Sequence, residues 1–216
     1  MTAMNRRDFL LSSAAAAAAP AAPPAPRPQL CIFSKHMAQF DWRALGEKAS
    51  QMGFDAIDLT VRPKGHVLPE RVAEDLPRAL EAIQSAGCAV ALITTDLKSA
   101  DDPAASPTFA AMQKLGLKLY KPGYWRYPPN EPIDQTLARC RAQFKSLLEL
   151  GESYGVTAGL HNHSGAYFGC AVWDYRELLK DAAPSQAGYY FDPGHATIEG
   201  GAYGWRASLG VAVSRL

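Results

Sequence analysis

From Gln29 onward, short apolar runs alternate with longer segments in which apolar residues recur at helical spacing. The runs QLCIFS, FDAIDLTV, CAVALITT, LKLYKPG, VTAGLHNH and AGYYFDPGH predict six strands. Between them lie five predicted helices. DWRALGEKASQMG starts at Asp41 as N-cap and ends at Gly53. DLPRALEAIQSAG is read with Asp75 as its cap, Pro77 in its first turn, and Leu76, Leu80 and Ile83 on one face. SPTFAAMQKLG follows, and then PIDQTLARCRAQFKSLLELGESYG, whose Ile133, Leu137, Cys140, Phe144 and Leu147 form one stripe opposite a charged face. The last is VWDYRELLKDA, and the helical signal beyond the sixth strand is weak.

This alternation, at about thirty residues per unit, implies a parallel sheet with helices outside it. An open doubly wound sheet and a closed barrel share the pattern. The barrel is favoured on two grounds. No glycine-rich dinucleotide fingerprint follows the first strand. Polar residues also follow every strand, whereas an open sheet gathers them at one switch point. The five histidines, His36, His66, His161, His163 and His195, all fall at or just past predicted strand ends. In a strand–helix barrel those ends form the active face. Loops do hold polar residues in general, but lysine and arginine also populate the helices here and histidine does not.

Composition narrows the partners. The chain of 216 residues carries a formal net charge of +1, which gives no basic surplus for nucleic acid. No apolar run approaches the ~20 residues of a membrane span. The first 28 residues stand apart from the fold: Arg6 and Arg7 precede Asp8-Phe9-Leu10, an alanine-rich stretch and a Pro/Ala linker. These are the parts of a cleavable export signal of twin-arginine type, which places the mature chain, 29–216, in the periplasm or outside the cell. A disordered Ala/Pro tail is the plainer reading of the same composition. The four cysteines, Cys31, Cys88, Cys140 and Cys170, show no metal-binding or disulfide spacing and are expected as buried small apolar residues.

Four stretches carry a resemblance to a known family. DLTVRPKGHVLPE, YKPGYWRYP, LHNHSG and FDPGHA, in that order, resemble the sugar phosphate isomerase/epimerase family with the xylose isomerase-like TIM barrel. The likeness runs from about residue 29 to residue 216, and it implies a (β/α)8 barrel of which about six units are present. It also implies a divalent metal, manganese or magnesium first and zinc or cobalt as alternatives, with Asp192 as a ligand and His161 as a possible second. His161 stands where the family usually has a glutamate that doubles as acid or base. The resemblance makes His161, His163 and His195 the catalytic candidates, with His195 also touching substrate. Arg62, His66, Tyr124 and Trp125 are candidate substrate contacts. Arg62 and His66 equally suit a solvated turn at Lys64-Gly65, and the aromatics equally suit a cap on the barrel interior. Asp58 either points into the barrel mouth or caps a turn, Glu199 is expected to be exposed, and Tyr189, Tyr190 and Phe191 are read as core.

The implied partner is a small sugar or polyol, and the implied chemistry is a proton moved beside a carbonyl through an enediolate. A non-catalytic sugar-binding module and a keto-sugar or inosose dehydratase are the alternatives. The family's seventh and eighth strands, with a histidine and a glutamate ligand, have no counterpart, since the barrel needs about 250 residues. The expectation is therefore an incomplete sequence with little isomerase activity of its own. A shorter natural form that closes as a homo-oligomer is the other option.

Overall fold

The computed structural model describes residues 27–216, so the export segment lies almost wholly outside the described residues. Six strands form: β1 (Cys31–Phe33), β2 (Ala56–Val61), β3 (Ala89–Thr95), β4 (Leu119–Lys121), β5 (Thr157–His161) and β6 (Ala187–Tyr190). Each pairs in parallel with the next, giving one sheet in the consecutive order β1-β2-β3-β4-β5-β6. A doubly wound sheet would reverse its order at a switch point. Consecutive order is the winding of a barrel, here six units of it.

The helices are α1 (Trp42–Gln51), α2 (Val72–Ser85), α3 (Ala105–Leu115), α4 (Ile133–Tyr154), α5 (Trp173–Leu179) and α6 (Pro193–Ala212). Asp41 caps α1 as expected, its Oδ1 accepting from the Ala44 amide at 2.8 Å. Helix α2 begins earlier than the sequence reading placed it. A short turn, Pro69–Arg71, leads straight into Val72, so Asp75 lies in the first helical turn rather than capping it, and Pro77 lies inside the helix. There Asp75 accepts from the Arg71 guanidinium at 2.7 Å. The apolar stripe of α4 is confirmed at Cys140, Phe144 and Leu147, all buried, whereas Ile133 at its start is exposed.

The weak signal after β6 conceals a helix of 20 residues. Glycine lowers helix propensity by about 1 kcal/mol per residue, and this segment holds Gly194, Gly200, Gly201, Gly204 and Gly210. It is broken in the middle, where Gly201 takes φ 64° and ψ −163°. The cysteine reading holds for Cys88 and Cys140, which are buried. Cys170 is only partly covered, and Cys31, first residue of the edge strand β1, is exposed. Among the described residues no helix is long and apolar enough to cross a membrane.

The core is a layer between the sheet and its helices. Leu45, Ile57, Leu76, Ile83, Phe109 and Phe144 are all but fully buried within it. This layer fixes the strands from outside and leaves their C-terminal ends to carry polar side chains on the other face.

Candidate active site at the strand ends

Along each strand, side chains alternate between the helix layer and the barrel interior. The last inward positions, and the first loop residues after them, therefore converge. Asp58 and Arg62 come from β2 and its loop, and Lys121 and Tyr124 from β4 and beyond. His161 ends β5 and His163 follows it; Tyr190 ends β6, and Asp192 and His195 follow. Together with Phe33, Lys35, His36 and Thr94 they line one cavity of about 180 Å³.

The junction after β6 is built around Asp192. Its backbone is clamped by Asn162: the Asp192 amide donates to Asn162 Oδ1 at 2.7 Å, and Asn162 Nδ2 donates to the Asp192 carbonyl at 2.8 Å. Asp192 is also the N-cap of α6, where Oδ1 accepts from the His195 amide at 2.8 Å and Pro193 fills the first helical position. One carboxylate oxygen is thus spent on the helix, and the other, Oδ2, faces His161 Nε2 at 3.5 Å.

His161 is oriented from its other nitrogen. Its Nδ1 lies 2.9 Å from the Tyr124 hydroxyl, and Tyr190 meets the ring edge-on. Burial, followed by the positive charge of Lys121, pulls its pKa down to about 4. The ring is therefore neutral at physiological pH and presents a nitrogen lone pair or N–H, not a cation.

His163 and His195 stack, with ring centroids 3.9 Å apart. His163 Nδ1 lies 2.9 Å from the Ser164 carbonyl oxygen. A carbonyl only accepts, so Nδ1 carries the proton and Nε2 is left as the site of proton exchange. His195 Nδ1 contacts the Ser164 hydroxyl at 2.9 Å, and burial lowers its pKa. The loop is tied to α6 by exposed Glu199, whose Oε1 accepts from the Gly165 amide at 2.7 Å.

Lys35 and Lys121 of the cavity were not assigned from sequence, and of the two readings of Asp58 the structure has the one in the barrel mouth. Lys121 ends an apolar strand and is only 3% exposed, with Nζ 3.3 Å from the Tyr124 ring centroid. Burial and then the charge of Arg62 draw its pKa down to about 7. Asp58 is 1% exposed; its Oδ2 accepts from the hydroxyls of Thr94 at 2.9 Å and Tyr190 at 3.2 Å. Burial pushes its carboxyl up to about 6, against the lowering effect of those two hydrogen bonds. Tyr190, read as core, is an interior residue of the cavity, while Tyr189 turns the other way and is buried.

Other expected contacts fall elsewhere. Arg62 and Tyr124 reach the cavity, but Trp125 is 2% exposed, donates to Gln143 Oε1 at 2.9 Å and packs edge-on against Phe144 in the core. One step along the chain reverses the direction of the side chain. His66 lies under the loop after β2, its Nδ1 3.0 Å from Thr60 Oγ1, and does not line the cavity. Among the described residues no three His, Cys, Asp or Glu side chains gather as a metal site. What does converge is the pair His161 Nε2 and Asp192 Oδ2, a neutral imidazole and a carboxylate, and their donor chemistry suits a divalent ion.

Comparison with known proteins agrees with the fold. Residues 47–213 match the family model described as xylose isomerase-like TIM barrel, and residues 3–23 match the signal sequence of the twin-arginine translocation pathway. The chain is thus marked for export to the periplasm or beyond the cell. No curated protein sequence matches it. Among solved structures it is similar to a 3-keto-D-glucoside 4-epimerase from E. coli, at 14% identity and TM-score 0.68, over 88% of this chain and 77% of that one. It is also similar to a probable 3-DHS dehydratase from Bacillus anthracis, at 11% identity and TM-score 0.69, over 88% and 71%. A third is a D-psicose 3-epimerase crystallised in the presence of D-fructose, at 15% identity and TM-score 0.57, over 87% and 69%. At these identities the likeness is one of fold.

Proposed function

The chain belongs to the xylose isomerase-like TIM barrel family, and from that premise we propose that it is an exported sugar isomerase or epimerase acting on a ketose, aldose or related polyol. What supports this reading most is the convergence of His161, His163, Asp192 and His195 on one small polar cavity at the strand ends. Isomerising or epimerising a sugar requires taking a weakly acidic proton from carbon beside a carbonyl and returning it elsewhere, by way of an enediolate.

His161 and Asp192 would hold a divalent ion, which when bound supplies Lewis-acid stabilisation for negative charge on substrate oxygens. Tyr124 fixes the ring orientation of His161 through Nδ1, leaving Nε2 toward the cavity. His163, with Nδ1 donating to the Ser164 carbonyl, keeps Nε2 for taking and returning the proton. His195, stacked against it and anchored by Ser164, orients a substrate hydroxyl. Arg62 and Tyr124 complete the contacts.

Of the implied ligands, the described residues bring together His161 and Asp192. The test reads the first proton transfer. Ketoses and aldoses are incubated with the protein and Mn²⁺ in deuterated water, and deuterium beside the carbonyl is followed by mass spectrometry. Incorporation above the protein-free rate is expected, with a fall of ~10²-fold or more in His163→Gln. Asp192→Ala should abolish Mn²⁺ uptake measured by calorimetry. Sugar binding without any exchange, and unaffected by Asp192→Ala, would instead identify a binding module. The dehydratase reading shares the proton abstraction and draws on the neighbour named for that activity; it is told apart by loss of water from the product.

A further inference from the structure

Asp58 at β2 apart, the charges of the cavity are divided between its two sides. Asp192 and the stacked imidazoles stand at β5 and β6. Lys121, Arg62 and Lys35 stand at β4, β2 and the turn after β1. Among the described residues none of these three cations makes an ion pair, and none has a side-chain hydrogen bond. Arg62 is held by its guanidinium over the Phe33 ring, 5.8 Å from the centroid, and Lys121 by the Tyr124 ring beneath it. Lys35 is exposed at the rim, Arg62 is half-buried, and Lys121 is the buried one.

A buried ammonium without a carboxylate partner is costly, and Asp58 relieves it only in part. The hydroxyls of Thr94 and Tyr190 hold Asp58 Oδ2, and Oδ1 is buried without a hydrogen-bond partner. The field of Asp58 favours the charged Lys121, but the two form no ion pair among the described residues. Asp96, the other acid whose field reaches Lys121, sits exposed outside the cavity. The charge acting most strongly on Lys121 is Arg62, of the same sign. A cavity that keeps like charges together and unpaired is arranged for an oxyanion to enter.

We propose that Lys121 and Arg62, with Lys35 at the rim, form an oxyanion subsite, and that the substrate is an acidic polyol whose carboxylate lies there while its carbonyl end faces His161 and Asp192. This rests on the reading of the site as a sugar-converting one and names its substrate class. A carboxylate and a phosphate share the recognition chemistry. The cavity of about 180 Å³ is small beside the ~300–1,000 Å³ common for ligand sites, and so it suits the more compact carboxylate.

Calorimetry on the purified full chain tests this with three probes: D-glucuronate, D-fructose and D-fructose 6-phosphate. The uronate is expected to bind ~10–100-fold more tightly than the neutral ketose, as a charge-assisted contact allows. That preference should weaken with added salt and collapse in Lys121→Met. Arg62→Gln, at a half-exposed position with little risk to folding, should reduce it as well. Equal binding of D-fructose, or a uronate preference intact in both variants, would overturn the subsite. Tighter binding of the phosphate ester would overturn the carboxylate assignment. Deuterium exchange separates this from the functional reading. Exchange confined to neutral sugars sinks the substrate class alone, while tight uronate binding with no exchange on any sugar sinks the enzyme and leaves the subsite standing.

Discussion

At Lys121, burial and the neighbouring guanidinium of Arg62 act in the same direction, drawing the ammonium from its ordinary value of 10.5 down to about 7. The unfolded chain keeps that proton up to its ordinary pKa, whereas the folded chain releases it near neutrality. Between the two values the unfolded state binds more protons, so the contribution of Lys121 to stability grows as pH rises across that window and is lost as pH falls through about 7. Lys121→Met removes the term. The variant is expected to melt above wild type at pH 7, by on the order of 2–8 °C, with the difference closing toward pH 10. Thermal unfolding of both proteins across that range checks it, and a gap independent of pH would show that Lys121 carries no such cost. The candidate site's histidines were legible in the sequence because histidine is absent from the predicted helices and gathers at strand ends, and Asp192 through the family resemblance of FDPGHA. Lys121 was not, because lysine is common throughout the chain and the strand run LKLYKPG holds two of them with nothing to mark one as inward. Tyr190 was hidden for another reason: in an apolar run buried on both faces, alternation does not reveal which residue points inward.

Among the elements, α5 reaches the site through a single side chain. Tyr175 is buried and donates from its hydroxyl to the His161 carbonyl at 3.0 Å, so the end of β5 is held from the helix layer. Gly169 makes room for that ring. Its φ is 93°, and a Cβ there would stand 2.1 Å from Tyr175 Cζ. Gly169→Ala thus combines left-handed backbone with a collision against a ring that has no free direction to move. A loss of ~2 kcal/mol or more is expected, read as a lower midpoint in urea. Unchanged stability would mean that the loop and Tyr175 rearrange freely. The elements themselves were largely legible, since all six strands and five helices follow from periodicity. Helix α6 was not, because its glycines erase the local propensity and it forms on the cap of Asp192 and the packing of Ala196 and Ala212. The start of α2 was misplaced because Asp75 has the chemistry of a cap, yet spends it on Arg71 within the helix.

For the whole molecule, the twin-arginine signal and the site's construction meet in one requirement: the pathway carries chains that have already folded. Asp192 illustrates the coupling, since it caps α6, is clamped by Asn162 and offers its remaining oxygen to the cavity. Its backbone role does not need the side chain's second oxygen, so function and folding are separable at this residue. Replacing Arg6 and Arg7 together by lysine should hold the protein in the cytoplasm, because a receptor reads the arginine pair itself. Gly169→Ala, with its signal intact, should lower the exported fraction by compromising the fold. Asp192→Asn keeps a side-chain oxygen for the His195 amide and alters the carboxylate alone, so it should be exported like wild type. Fractionation of cells that possess the pathway, followed by immunoblotting, gives all three results in one experiment. Normal export of the double lysine variant would show that another route carries the chain, and retention of Asp192→Asn would show that the carboxylate charge, not only its capping oxygen, is part of what holds the strand ends together.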